Sequence, residues 1–244
     1  RLYPATFSVS KQLLPVYDKP LIYYPLSTLM LAGIREILII STPSSIDQFK
    51  TLLHNGDHLG LKIEYMVQEK PKGLADAFIL GEKFIKDRNV TLVLGDNLFF
   101  GNGLKNLLKE TISKCNTNNT NHIFASYVRD PERFGVVDFS DDFKINSIEE
   151  KPKNPKSNYA VVGLYVYINN VIEIAKKIKP SARGEIEITS INNHFLNENK
   201  LELSILNRGI AWLDTGNAKA LMNATSFVGN YQIRTNLMIS NIEE

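Results

Sequence analysis

Short apolar runs of strand length alternate with stretches of helical period through the first 130 residues, and this alternation constrains the fold more than any other feature. Ile22 to Ala32 carries helical spacing, breaks at Gly33 and is followed at once by EILIIS, a run of strand length. SIDQFKTLLHNG reads as a helix with Ser45 as its N-cap and Gly56 as its stop. LKIEYMVQE alternates like a strand, GLADAFILGEKFIKD is helical, and VTLVLGD reads as a buried strand. GLKNLLKETISKC returns to helix and IFASYV to strand. Strands joined by crossover helices predict a largely parallel sheet. Past residue 130 the rhythm changes. FGVVDF, INSIEEKP and YAVVGLYVYI are strands separated by the turn sequences SDDFK and KNPKSN, which predicts an antiparallel insertion. VIEIAKKIK and EIEITSINNHFLNENK are helical, LELSILN is a strand, and NAKALMNATSFVGNY is a closing helix. No linker, repeat or low-complexity segment divides the chain, so residues 1–244 read as one α/β domain.

Bulk properties narrow the function classes. At 244 residues with 43% hydrophobic content, the chain can bury a sizeable core. A net charge of +2 argues against a nucleic-acid scaffold while leaving room for a local phosphate site. The single cysteine, Cys115, rules out an internal disulfide framework and fits a reducing compartment. No apolar run reaches the roughly 18 residues needed to cross a bilayer, and no secretory signal is visible. The expected location is cytoplasmic, with no membrane partner.

Several short constellations carry chemistry, each beside a plainer structural reading. In VTLVLGDN, Asp96 follows directly on a strand, where open parallel sheets meet their ligands. Its carboxylate suits Mg²⁺, which takes oxygen ligands and bridges phosphates; a turn cap shared with Asn97 is the alternative. AWLDTG sets Asp214 behind the buried-looking Trp212 and Leu213 and ahead of a helix, so a metal ligand and a helix N-cap compete there. In SIEEKPKNPKS, Pro152 stiffens the approach of Lys151, a point charge suited to phosphate, and strand alternation puts Glu149 rather than Glu150 on its face. A solvated edge of mixed charge is the alternative. PSARGEIEITS puts Arg183 ahead of an acidic helix start, the wrong end of a helix for a cation, which invites an anionic partner. Gln68 closes YMVQ and Gly73 leads into a helix. The amide can read a base edge and the glycine can admit a flat base, though a plain turn accounts for the same residues. The four histidines lack metal-ligand spacing, and His54 and His58 read as loop residues around Asn55-Gly56. No nucleophile–base pair stands out.

Taken in order, RLYPATFSVSKQLLPVYDKPLIYYPLSTLMLAGIREILIIST, VLGDNLFFG, DPERFGVV, EEKPKNPKSNYAVVGLY, PSARGEIEIT and AWLDTG resemble the bacterial glucose-1-phosphate thymidylyltransferases, from Arg1 to about Gly229. The resemblance implies a Rossmann-like, mostly parallel sheet with an antiparallel insertion, of the nucleotide-diphospho-sugar transferase type. It implies a nucleotide-binding half at 1–130, a sugar-binding half at 131–229 and a shortened closing segment at 230–244. The implied reaction is Mg²⁺-dependent transfer from dTTP to α-D-glucose 1-phosphate, giving dTDP-glucose and pyrophosphate at the head of dTDP-rhamnose synthesis. By resemblance Arg1 clasps the triphosphate, Lys11 and Gln12 belong to the nucleotide site, and Gln68 and Gly73 read thymine. Asp96 and Asp214 match the metal ligands, and Lys151 and Arg183 match the groups holding the sugar phosphate. Asn97, Gly135, Glu150 and Val161 match positions that line the hexose. A homotetramer with feedback inhibition by dTDP-rhamnose is implied as well. The family's first strand and its glycine-rich loop, of the form LAGGxGTR, are expected ahead of Arg1 and are absent from these 244 residues. The competing readings are a uridylyl- or cytidylyltransferase for glucose 1-phosphate, a metal-dependent glycosyltransferase, for which VLGDN lacks the usual second acid, and a non-catalytic nucleotide-sugar-binding protein.

Overall fold

The computed structural model describes residues 2–181 and 184–243. In chain order its elements are β1 (Pro15–Val16), β2 (Lys19–Pro20), α1 (Tyr23–Leu31), β3 (Glu36–Ser41), α2 (Ile46–Leu53) and β4 (Lys62–Val67). Next come α3 (Asp76–Leu80), α4 (Glu82–Ile85), β5 (Val90–Val93), β6 (Asn97–Gly101), α5 (Leu104–Asn118) and β7 (Asn121–Tyr127). The remainder is β8 (Gly135–Phe139), β9 (Ile145–Glu150), β10 (Tyr159–Tyr167), α6 (Val171–Lys177), α7 (Ile188–Asn197), β11 (Leu201–Ile205), β12 (Ile210–Asp214) and α8 (Ala218–Thr235). These elements form two compact units. Unit one takes the chain up to Tyr65, Val93–Lys109 and the chain from Arg208 onward; unit two takes Met66–Leu92 and Glu110–Asn207.

Unit one holds the two-stranded pairings β1–β2, β3–β4 and β6–β12. Its apolar residues gather in two clusters. Leu26, Phe49, Leu53 and Ile63 close one between α1, α2 and the β3–β4 pair. Leu21, Tyr24, Leu98 and Val228 close the other beneath α8. Each fully buried side chain of this size contributes about 1.5–3 kcal/mol. Helix α8 is further tied to the β1–β2 turn, because the Gln232 amide donates to Asp18 at 2.9 Å.

Unit two is built on a six-stranded sheet in the order β11-β7-β10-β8-β9, with β5 also paired to β10. Strands β11 and β7 run parallel, while β10 runs antiparallel to both β7 and β8, and β9 antiparallel to β8. The α/β character and the antiparallel insertion expected past residue 130 are both present. The ladder between β10 and β7 shifts register between Val161 and Tyr165, an irregularity of the kind that re-aims side chains. The core lies where α3, α6 and α7 cover the sheet; Phe78 meets Tyr167 edge-to-face with centroids 5.3 Å apart.

Local departures from the sequence reading have identifiable causes. The helix expected over GLADAFILGEKFIKD is two short ones, α3 and α4, parted at Gly81, where ψ reaches 2°. Glycine is the poorest helix former after proline. Helix α3 begins at Asp76, three residues beyond Gly73. Helix α2 stops at His54, whose φ is +50°, and Gly56 instead opens a 3-10 turn at Asp57–Leu59. Helix α7 begins at Ile188, and Glu187 is its extended N-cap residue, so neither Glu187 nor Glu185 lies in the first turn. The run NLFFG, not foreseen as a strand, forms β6. Strand β5 is half-buried rather than buried.

Candidate active site

In unit one the register of β6 and β12 decides how the two acids are related. Asp214 pairs directly with Asn97, and Leu213 with Leu98. Just past that pair, Thr215 donates both its N–H, at 3.1 Å, and its hydroxyl, at 2.8 Å, to the Asp96 carbonyl. Asp96 and Asp214 therefore stand together at one end of one ladder, which their separation in sequence could not reveal. The N-cap alternative for Asp214 recedes. The N-cap of α8 is Asn217, whose side chain accepts from the Ala220 N–H at 3.0 Å. The turn before β6 is closed by Asn97 N–H donating to the Leu94 carbonyl.

A short polar chain orients the Asp96 carboxylate. The indole N–H of Trp212 donates to Asn97 Oδ1 at 2.6 Å, and Asn97 Nδ2 donates to Asp96 Oδ1 at 2.9 Å. The other oxygen, Oδ2, is ion-paired to Lys11. Trp212 is half-buried rather than buried, while Asn97 is 2% exposed. Lys11 and Gln12 lie in a 3-10 turn, and the Gln12 carbonyl is held by the N–H of Ile22 at 2.8 Å. The Gln12 side chain crosses Gly95 so closely that a Cβ there would meet its Cγ at 3.0 Å. Asp214 in turn lies over Gly216, where a Cβ would come within 3.0 Å of Oδ2.

Unit two gathers a second set. Gly135 pairs with Glu150 across β8 and β9. A Cβ on Gly135 would lie 3.4 Å from Glu150 Oε2, 3.4 Å from Thr189 Oγ1 and 3.8 Å from Val161 Cβ. Three of the expected hexose residues thus meet at one point, and Asn97 belongs to the other unit. Thr189, which the sequence reading passed over although it stands inside EIEITS, donates to Glu150 Oε2 at 2.6 Å. Lys151 pairs with Glu150 at 3.1 Å, not with Glu149, which pairs with Lys156 at 2.7 Å. Alternation fails because Lys151 has φ of +45° and has already left the strand.

Gln68 and Gly73 also fall in unit two. Gln68 Nε2 donates to Asp76 Oδ2 at 2.8 Å. Gly73 has φ of +101°, and a Cβ there would strike the Ile186 carbonyl oxygen at 2.5 Å, so packing against Ile186 already demands glycine. The loop is tied to the same residue on both sides: Ile186 N–H donates to the Lys72 carbonyl at 2.6 Å, and Ala75 N–H to the Ile186 carbonyl at 3.2 Å. Arg1 and Arg183 lie outside the described residues.

A family model described as nucleotidyl transferase matches residues 1–230. The chain belongs to the nucleotidyl transferase family. The match spans both units and does not support a glycosyltransferase reading. Among relatives, the chain is 54% identical over 244 residues to the glucose-1-phosphate thymidylyltransferase of Neisseria meningitidis serogroup A, covering 100% of this chain and 84% of that protein. It is 52% identical to the protein of the same name from Mycobacterium tuberculosis H37Rv, covering 100% of this chain and 83% of that protein. A Bacillus anthracis structure described as a glucose-1-phosphate thymidylyltransferase in complex with sucrose superposes with a TM-score of 0.86 at 34% identity, covering 99% of this chain and 93% of that one. A UDP-glucose pyrophosphorylase complexed with UDP-glucose superposes at 0.83 with 23% identity, covering 96% and 95%, a likeness of fold.

For a nucleotidyl transferase, the donor set at the ladder end is the natural place to seek a cation. Asp96 and Asp214 offer hard carboxylate oxygens, and Asp96 already faces a positive charge in the Lys11 ammonium. Among the described residues, no group of three or more His, Cys, Asp or Glu side chains could hold a metal. A pair of carboxylates fits Mg²⁺, which keeps waters and completes its shell with substrate phosphates, better than a metal needing an all-protein cage. No helix among the described residues is long and apolar enough to cross a membrane.

Proposed function

We propose that this enzyme transfers a thymidylyl group from dTTP to α-D-glucose 1-phosphate. A phosphate oxygen of the sugar phosphate attacks the α-phosphorus of dTTP, the bond from that phosphorus to the bridging α,β-oxygen breaks, and pyrophosphate leaves with the electron pair. The products are dTDP-glucose and pyrophosphate. The observation that carries the reading is the pairing of Asp214 with Asn97, which brings Asp96 and Asp214 to one ladder end. The names of relatives up to 54% identical across the whole chain support the choice of substrates.

Asp96 and Asp214 would hold Mg²⁺, which when bound neutralises phosphate charge and favours departure of pyrophosphate. Lys11 exchanges its ion pair with Asp96 for a phosphate oxygen, so the same ammonium serves the resting and the substrate-bound site. Gln12, its carbonyl held by the Ile22 N–H and its side chain lying over Gly95, holds the nucleotide. Gln68 and the loop at Gly73 take the base. Lys151 and Arg183 take the sugar phosphate, and Arg1 the triphosphate. Glu150, braced by Thr189, accepts a hexose hydroxyl beside Gly135 and Val161. The rate gain in this chemistry comes chiefly from positioning and charge neutralisation, with no covalent enzyme intermediate required. The same reading extends to supply of dTDP-glucose for dTDP-rhamnose, a cytoplasmic homotetramer and feedback inhibition by dTDP-rhamnose.

Pyrophosphate release measured with Mg²⁺, glucose 1-phosphate and dTTP, UTP, CTP or ATP in turn tests the proposal. The expected order puts dTTP first, with kcat lowered about 10²–10³-fold by Asp96→Ala and by Asp214→Ala. Full turnover in either variant would remove that acid from the site.

A further inference from the structure

We propose that Asp76 is a specificity-determining positioning residue, whose carboxylate fixes the Gln68 side-chain amide in one orientation and so sets which pyrimidine the enzyme accepts. The inference rests on the assignment of Gln68 to the base. Gln68 follows directly on β4, is half-buried, and donates from Nε2 to Asp76 Oδ2 at 2.8 Å. Asp76, the first residue of α3, is 6% exposed. An ionised carboxylate only accepts hydrogen bonds, so the side of the amide turned toward it must be the NH₂ group. A flipped amide would set two acceptor oxygens against each other. Glutamine orientation is usually read from the surrounding network, and here that network leaves one choice.

The amide's remaining groups are one N–H and the carbonyl oxygen, held side by side. A freely rotating amide reads two kinds of base edge. One way round it meets an N3–H beside a carbonyl, the imide edge of thymine and uracil. Turned by half a revolution it meets an unprotonated N3 beside an amino group, the edge of cytosine. These edges differ by inversion of donor and acceptor, the change an amide flip accommodates. Clamping the amide turns a two-way reader into a one-way reader. Asp76 is itself firmly placed. The loop before it is bonded on both sides to the backbone of Ile186, and Ala75 and Phe78 flank it in the core of unit two.

The test is the ratio of kcat/KM for dCTP to that for dTTP in Asp76→Asn, whose side-chain amide can either donate to Gln68 or accept from it. The ratio is expected to rise about 10-fold, mostly through KM, because the base is remote from the reacting phosphorus. The ratio of UTP to dTTP should stay fixed, since uracil and thymine share the imide edge. A charge that merely steadies α3 would lower stability and leave both ratios alone. Asp76→Ser, whose hydroxyl also donates or accepts, should move the dCTP ratio the same way and provides a second readout should the asparagine variant fold poorly. Gln68→Ala separates the two levels. If it erases base discrimination while both Asp76 variants keep the wild-type ratio, the clamp is overturned and the base assignment stands. If Gln68→Ala leaves discrimination intact, both fall.

Discussion

The indole N–H of Trp212 is the far end of a chain that reaches a metal-ligand candidate through one asparagine, so a change at the indole should be felt at Asp96. Trp212→Phe removes the donor to Asn97 Oδ1, and is expected to cost about 1–2 kcal/mol of stability in urea denaturation. It should also lower kcat more than it raises KM, because Asn97 loses one of the bonds that orient Asp96. His122 offers a second single-residue prediction. It is 1% exposed on β7, faces Glu202 of β11 at 3.8 Å, and shares a contact with the Thr120 hydroxyl. Burial lowers its pKa below 6.5, with Glu202 pulling it up and Lys114 pushing it down. A base with a depressed folded pKa gives stability that is intact above the unfolded value and lost as pH falls below it. Unfolding free energy should therefore decline below pH 6.5, by at most about 1.4 kcal/mol per pH unit from this group. His122→Gln should flatten that acid limb in urea titrations run at successive pH values. At this scale the sequence disclosed residue types but not which way they face. Strand alternation puts Glu149 on the face of Lys151, and a single residue at φ +45° turns Lys151 to Glu150 instead. Asp76 gave no local sign of its bond to Gln68, eight positions earlier.

Between residues and the whole chain, the informative element is the β6–β12 ladder. Helices with a clear apolar period, such as α2 and α5, were legible because one face must meet the core. NLFFG was not, being a short strand that directly follows a turn, and its partner lies more than 100 residues later. The ladder's far end shows how little slack it has. Gly101 has φ of +151°, and a Cβ there would fall 1.9 Å from the Gly209 carbonyl oxygen. Gly101→Ala should thus combine backbone strain with an unavoidable clash, at about 3 kcal/mol or more. A lowered thermal midpoint, with lost turnover as Asp96 and Asp214 shift apart, is the expected result; wild-type stability would show that the ladder can slide. The split of one expected helix into α3 and α4 has the opposite character. Gly81 marks it in the sequence, but the helical period runs through the glycine and hides it.

Across the whole molecule the chain does not complete one unit before beginning the other. Strand β6 finds its partner β12 only after residue 209, and β7 is paired by β10 and β11. A fragment ending at residue 130 would leave β6 and β7 without these partners and should show no cooperative unfolding transition. Family membership was legible in the sequence because long motifs recur in order. The arrangement of the site was not, since the ladders that assemble it join residues far apart in sequence. The proposed reaction joins thymidylate to glucose 1-phosphate. The most direct measurement supplies dTTP labelled at the α-phosphorus together with glucose 1-phosphate and Mg²⁺, and follows where the label goes. Label moving into a sugar nucleotide with equimolar pyrophosphate, and doing so faster than from UTP or CTP, is the predicted result. Label that stays in dTTP, or reaches a sugar nucleotide faster from UTP, would contradict the account.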